Sequence, residues 1–421
     1  MAATPSSLQR LHLIATGGSI MHNLALALHQ RGAHVTGSDD EIFEPAKSRL
    51  AKAGLLPAAE GWFPEKITAD LDAVIVGMHA RPDNPELLRA QELGLRVYSF
   101  PEFIYEASRD KQRIVIGGSH GKTSITSLIL HVLRYHGRQF DYAVGAQLEG
   151  FELMVQLTED APIIIIEGDE YLSSPIDRRP KFHLYQHHIG VISGISWDHI
   201  NVFPTEEVYR EQFRIFAEMT PKAGVLIYDQ HDEQVQLVTV PSSPDVKYIG
   251  YGPHEHVIRD GKTFLLNKKD EEVPVQVFGE HNLRNISAAK EVCKQLGIKG
   301  KEFYEALASF KGAARRLEKG ARRRGLGGVQ RLCPCAQQAE SHGRRLQEAV
   351  PAAQVGGLPG AAHVQLAQPR LPAPVRPYLR RARRGRGILQ PPRAGAQAPA
   401  GFAARSRAAG LPAPRPARVH R

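Results

Sequence analysis

The chain has 421 residues, enough for roughly three domains that each bury a core. A formal charge of +10 would ordinarily point to nucleic acid or an acidic membrane, but residues 321–421 hold 19 Arg, no Lys, no Asp and two Glu, leaving −7 for the other 320 residues. No apolar run reaches the roughly 18 residues of a membrane span, the N-terminus lacks a signal peptide's charged and apolar regions, and three cysteines are too few for a disulfide framework. The expectation is a mildly acidic, multidomain, cytoplasmic enzyme carrying a basic tail, with no nucleic-acid or membrane partner and an open oligomeric state.

Taken in chain order, LHLIAT (11–16), a glycine turn, the amphipathic MHNLALALHQRG (21–32) and HVTGSD (34–39) form the β-turn-α-β pattern of a nucleotide-binding unit. A strand over 71–77, a helix over 84–94 and a strand over 96–100 extend it into a parallel, doubly wound sheet. A second α/β unit opens with RIVIGG (113–118) and the helix that follows it, then continues through the apolar strands 161–169, 187–196 and 223–229. Residues 264–279 read as an added hairpin, and helices over 281–297 and 301–310 close the unit. The predicted class is α/β: a Rossmann-like domain over 1–110, a central P-loop ATPase-like domain over 111–310, the start of a third domain over 311–320, and an Arg/Ala/Pro-rich tail over 321–421. The tail holds one Ile, one Phe, one Tyr and no Met, too little apolar surface to offset chain entropy.

Between a strand and a helix stands Gly118-Ser119-His120-Gly121-Lys122-Thr123, followed by Ser124. Backbone N–H groups and the positive helix end cradle phosphates in such a turn, the lysine reaches the terminal phosphate, and the threonine hydroxyl ligates Mg²⁺. The loop is not a full Walker sequence, because Ile114 and Ile116 occupy the positions where its leading glycine would fall. Glu167-Gly168-Asp169-Glu170-Tyr171 follows an apolar strand, placing a carboxylate where it can face the loop across the sheet's carboxyl edge. Trp197-Asp198-His199-Ile200-Asn201 follows the next buried strand. Further on stand Gly279-Glu280-His281-Asn282-Leu283-Arg284-Asn285, with Ala288 and Ala289 behind, and Ala313-Ala314-Arg315-Arg316-Leu317-Glu318.

In this order and spacing the motifs resemble the Mur ligase family, whose members use ATP to turn a carboxylate into an acyl phosphate that an amine converts to an amide. The resemblance covers about three quarters of the chain. It implies ATP and Mg²⁺ as cofactors, with Gly118 to Ser124 on the phosphates, Thr123, Glu167 and His199 as metal ligands, and Asp169 and Glu170 orienting water or substrate. It also implies His281, Asn282 and Asn285 on the adenine, and Lys122, His199 and Arg316 as the charges that serve phosphoryl transfer. Family members often carry a carbamylated lysine about fifteen residues after the histidine; Arg214 stands there instead. The implied partners are UDP-N-acetylmuramate and either the tripeptide L-alanyl-γ-D-glutamyl-meso-diaminopimelate or L-alanine.

In the first unit, Thr16, Gly17, Gly18 and Ser19 stand where the family's muramate ligases carry a glycine-rich loop for the UDP moiety, though Ala15 and Ile20 replace two of its usual glycines. NAD binding competes on the residues alone. Ser38 and Asp39 end the second strand, where an acidic side chain reaches ribose hydroxyls.

By the same resemblance, a third Rossmann-like domain should open after Glu318 with a strand and a D-[YF]-A-H-x-P motif, and no such pattern is present. Residues 325–338 can nevertheless be back-translated so that loss of one leading nucleotide reads Ala-Ser-Ala-Val-Tyr-Lys-Asp-Phe-Ala-His-Ala-Pro-Ser. Out-of-frame GC-rich coding sequence also yields Arg, Ala, Pro and Gly. The expectation is a frameshift near residue 320 and a ligase crippled as written. A basic-tailed, nucleic-acid-binding ATPase is the reading of a different class, and a non-catalytic sugar-nucleotide scaffold is a third.

Overall fold

The computed structural model describes residues 8–310 apart from 242, 268, 270, 277 and 278. Residues 311–421, with Arg316 and the frameshift reading, lie outside the described residues.

The first sheet is built from β1 (Arg10–Ile14), α1 (Ser19–Gln30), β2 (His34–Ser38), α2 (Ala46–Lys52), β3 (Ala73–Val76), α3 (Pro85–Glu92), β4 (Val97–Ser99) and α4 (Phe100–Ala107). Its strands run parallel in the order β2-β1-β3-β4. Parallel strands covered on both faces need continuous apolar runs, and β3 supplies AVIV with every residue buried.

The second sheet follows from β5 (Gln112–Gly117), α5 (Lys122–Tyr135), β6 (Asp141–Ala143), β7 (Val155–Gln156), β8 (Ile163–Glu167), α6 (Lys181–Leu184), β9 (Ile189–Ile192), α7 (Glu206–Glu218), β10 (Val225–Asp229), α8 (Glu233–Val238) and β11 (Lys247–Tyr251). Its order is β11-β10-β9-β5-β8-β6-β7, parallel except for the short antiparallel edge strand β7. A three-stranded antiparallel sheet, β12 (His256–Arg259), β13 (Lys262–Leu266) and β14 (Glu272–Val275), precedes α9 (Glu280–Gln295) and α10 (Gly300–Leu307). The expected hairpin is therefore β13–β14 with one further strand added.

Strand alternation divides the core of the second sheet. Ile114, Ile116 and Ile165 face α5 and α9, whereas Val115, Ile164 and Ile166 face the other way, toward Phe182, Phe213 and Phe216 from α6 and α7. That second cluster runs on into Leu11 and Leu13 of the first sheet. The link between the sheets is pinned by Arg113, whose guanidinium donates to the carbonyls of Ser108, Lys111 and Tyr185. Nearby, Lys111 Nζ meets Asp141 at 2.8 Å in a buried pair; the ammonium also donates to the Thr158 and Ala161 carbonyls, and the carboxylate accepts from Thr158 N–H and Oγ1. Among the described residues, no helix is long and apolar enough to cross a membrane.

His187 sits at the base of this core, 2.9 Å from Thr220 Oγ1 and against Phe216, with Nδ1 buried and unpartnered. Burial drives its pKa from 6.5 to about 3. The unfolded chain therefore takes up this proton first, so the contribution to stability is full above pH 6.5 and is lost as pH falls toward 3. Between pH 7 and pH 5 the loss is about 2 kcal/mol. His187→Gln should remove that part of the acid sensitivity, seen as a smaller fall in urea midpoint between the two pH values than in the wild type.

Candidate active site

The loops that follow β5, β8 and β9 meet at the carboxyl edge of the second sheet, where parallel sheets place ligands. The turn from β5 into α5 is shaped by two glycines. Gly118 has φ +136°, and a Cβ there would stand 2.2 Å from Ser193 Oγ and 2.9 Å from Ser193 N. Gly121 has φ +83°, and a Cβ would stand 2.6 Å from Asn285 Oδ1. Only glycine takes these angles without strain and permits this contact with the end of β9 and the first turns of α9. Ser193 Oγ closes the loop from below, donating to the His120 carbonyl, and the His120 ring covers Gly194.

Lys122 and Thr123 open α5 on its inward face. Lys122 Nζ donates to the Gly118 carbonyl at 2.6 Å and to Glu170 Oε2 at 2.7 Å. Burial lowers its pKa, but the charges of Glu170, Asp169 and Glu167 outweigh burial and leave it raised, so the ammonium is kept. Glu170 responds in kind. Burial opposes ionisation, yet His199 and Lys122 hold its pKa down to about 2. His199, with φ +57°, brings Nε2 to 3.7 Å from Glu170 Oε1 and packs edge-on against Tyr171, and its pKa is raised by the facing Glu170 carboxylate.

Glu167, at the end of β8, accepts from Thr123 Oγ1 at 2.5 Å and from the Gly145 N–H at 3.0 Å. Burial and the neighbouring Asp169 charge raise its pKa, an environment a dication would relieve. The donors are hard oxygens, one hydroxyl and one carboxylate, and no three His, Cys, Asp or Glu side chains converge among the described residues. That set fits Mg²⁺, which takes one or two protein ligands and completes its shell with phosphate and water. His199 is grouped with Glu170 here, whereas Thr123 meets Glu167. Asp169 is engaged by Lys181 Nζ at 3.0 Å.

Ser119 has its donors turned inward: its N–H goes to the Gly194 carbonyl at 2.9 Å, and its hydroxyl lies 2.8 Å from Tyr209 OH. The first turn of α5, from Gly121 through Ser124, has no side-chain cap, so its N–H groups are open to an external acceptor. On α9, Asn285 is buried against Gly121, while His281 is exposed and Asn282 partly buried on the first turn. Arg214 is directed away from the site, paired with Glu211 and Glu218 on the exposed side of α7.

In the first sheet, Thr16 to Ser19 link β1 to α1. Asp39 Oδ2 accepts the Gly17 N–H at 2.6 Å, so this carboxylate braces the loop; burial and Asp40 push its pKa up to about 6. The Ser38 carbonyl accepts from Thr16 N, and its hydroxyl from Lys66 Nζ. Ser19 Oγ donates to the Gly145 carbonyl at 3.1 Å, which brings this loop to the same residue whose N–H holds Glu167. Ser193, Gly145 and Tyr209 were not singled out by motif; each lies outside a contiguous signature and is recruited by the tertiary fold.

A glycine phosphate loop with its lysine and threonine facing carboxylates of the next strand, joined to a separate Rossmann-type sheet, defines a nucleotide-dependent ligase. The chain belongs to the Mur ligase family of ATP-dependent ligases: residues 10–112 match the Mur ligase family catalytic domain, and residues 116–293 match the Mur ligase middle domain. It is 30% identical over 326 residues to the UDP-N-acetylmuramate–L-alanine ligase of Streptomyces coelicolor, covering 75% of this chain and 68% of that protein. It is 27% identical over 319 residues to the UDP-N-acetylmuramate–L-alanyl-γ-D-glutamyl-meso-2,6-diaminoheptandioate ligase of Haemophilus influenzae, covering 74% and 70%. The fold is shared with the UDP-N-acetylmuramate:L-alanyl-γ-D-glutamyl-meso-diaminopimelate ligase of Neisseria meningitides, with a TM-score of 0.65 at 24% identity over 72% of this chain and 99% of that one.

Gly118→Ala tests the loop. With a positive φ and backbone as well as side chain in the way, the variant should lose about 1–3 kcal/mol and show no thermal shift with Mg·ATP. Adding Ser193→Gly should restore only part of the stability, because Ser193 N remains 2.9 Å from the new Cβ.

Proposed function

We propose that the chain derives from the enzyme that joins UDP-N-acetylmuramate to L-alanyl-γ-D-glutamyl-meso-diaminopimelate, with residues 1–110 taking the sugar nucleotide and 111–310 taking Mg·ATP. The observation that carries this reading is the placing of both loops on one residue: Gly145 receives Ser19 through its carbonyl and holds Glu167 through its N–H. A carboxylate held near the first loop would thus meet a nucleotide held on the second.

In the proposed reaction a carboxylate oxygen of the muramoyl group attacks the γ-phosphorus of ATP and ADP leaves. The amine then attacks the acyl carbon, phosphate leaves, and the amine's proton passes to solvent. Mg²⁺, held by Thr123 and Glu167, would neutralise charge on the phosphates. Lys122 is already placed at the loop by Gly118 and Glu170, so it reaches the terminal phosphate with little reorganisation. Gly118, His120, Gly121 and Ser124 would frame the phosphates, Asn285 with His281 and Asn282 the base, and Thr16, Gly17, Gly18, Ser19, Ser38 and Asp39 the UDP group. The tripeptide is favoured over L-alanine by the Asp-Glu-Tyr sequence at 169–171 and by Asp177-Arg178-Arg179-Pro180-Lys181-Phe182, of which Lys181 is tied to Asp169. On this reading the enzyme would work in the cytoplasm, where ATP is supplied.

Residues 321–421 are read as out-of-frame translation of a third domain, in keeping with relatives that extend about 30% of their length beyond the match, which takes in 70% of the Haemophilus protein. The chain as it stands should bind Mg·ATP but release no phosphate with either amine. Lys122→Ala should weaken ATP binding at least about ten-fold. The frame-restored protein should release phosphate with UDP-N-acetylmuramate and tripeptide, and much less with L-alanine. Release with L-alanine alone would move the assignment to the alanine ligase, and release with neither would end both.

A further inference from the structure

Tyr209 enters the site from α7, ten residues after His199 and outside every motif. Its ring is fully buried, in edge contact with Phe203 and Phe213 at 5.3 Å each. The phenolic oxygen lies 2.8 Å from Ser119 Oγ and 3.1 Å from Glu170 Oε1.

The direction of these bonds follows from proton inventory. Glu170 is ion-paired with Lys122 at 2.7 Å, and an ionised carboxylate only accepts. The single phenol proton is therefore donated to Glu170. Ser119 must then donate its own proton to the phenolic oxygen, while Ser119 Oγ accepts from the Ser196 N–H at 2.8 Å. The result is a one-way chain, Ser196 N–H to Ser119 to Tyr209 to Glu170, that ends on the carboxylate facing the Lys122 ammonium. With Arg214 turned outward, Tyr209 is the side chain by which α7 acts on the loop.

We propose that Tyr209 is a positioning residue for the phosphate loop: its hydroxyl ties Ser119 to Glu170, so that Glu170 holds Lys122 at the mouth of the loop for the polyphosphate of a bound nucleotide. This rests on the loop's being the ATP site. A tyrosine serving only as core filling would need its ring and not its hydroxyl, and the two roles separate in Tyr209→Phe, which keeps the ring.

The test uses the full chain and measures binding of Mg·ATP and Mg·ADP by calorimetry and of adenosine by ligand-observed NMR. Tyr209→Phe should weaken both phosphate-bearing ligands about ten-fold, the effect of losing a hydrogen bond to a charged group, and leave adenosine unchanged. Ser119→Ala should act in the same direction, and the double variant should be no weaker than the worse single one, because both belong to one chain. Ser119→Ala alone carries the test if Tyr209→Phe does not fold. The proposal is overturned if the variants bind Mg·ATP within two-fold of wild type, or if adenosine weakens equally. If the wild-type chain binds neither nucleotide, the ATP reading itself falls and takes the proposal with it.

Discussion

The architecture of the site depends on a steric constraint, the absence of side chains at Gly118 and Gly121. Because nothing projects there, the β5–α5 turn presses directly onto the end of β9 and onto Asn285 of α9. That contact sets the direction in which α5 leaves the sheet, and hence where Lys122 and Thr123 point. The carboxylates of the β8 loop lie within reach only because α5 starts at that height. Lys122 meets Glu170, and Thr123 meets Glu167. Charge is thus paired in advance of any ligand, which lowers the reorganisation that a polyphosphate would require.

A second dependency runs between the sheets. The segment from Gly145 to Met154 belongs to the second sheet's side but is clasped by the first. Ser19 donates to Gly145, Asn23 accepts the Met154 N–H at 2.9 Å, and Arg49 reaches the Glu152 carbonyl. Movement of α1 or α2 on binding a sugar nucleotide would therefore pull on the residue whose N–H meets Glu167. Coupling of this kind needs no long pathway, since the two peptide units joined at Gly145 face one loop each.

Legibility in the sequence followed contiguity. Gly118 to Thr123, Glu167 and Asn285 were readable because each lies in a short run whose residue types and flanking elements specify a job. The parallel sheets were readable from apolar runs such as IIII at 163–166. Tyr209 was not, since a tyrosine on the buried stripe of an amphipathic helix looks the same whether its hydroxyl is used or idle. Ser193 and Gly145 act through positions that only strand order brings beside the loop. Asp39 illustrates the converse: its place at the end of β2 suggests a ribose contact, but its carboxylate is committed to the Gly17 N–H. The strand β12 was missed because its burial is slight and its pattern irregular.

Helix termini add a distinction that side chains alone do not show. Asn84, Ser99, Thr205 and Asp232 cap α3, α4, α7 and α8 with side-chain oxygens. By contrast α1, α5 and α9 start after Gly18, Gly121 and Gly279 with no side-chain cap. Uncapped first-turn N–H groups are left for an external acceptor. The three ends are not equivalent, because α1 and α5 have no acidic residue in the first turn, whereas α9 has Glu280. Arg284 is drawn to that glutamate at 2.6 Å and to Asp229 at 3.1 Å, so the positive end of α9 is already offset. The first turns of α1 and α5 thus carry no carboxylate of their own, although Asp39 faces the loop before α1 and Glu167 and Glu170 face the start of α5. On the proposed reading, Lys122 and Thr123 would stand between those carboxylates and the phosphates of an ATP on α5, with its base toward the offset end of α9.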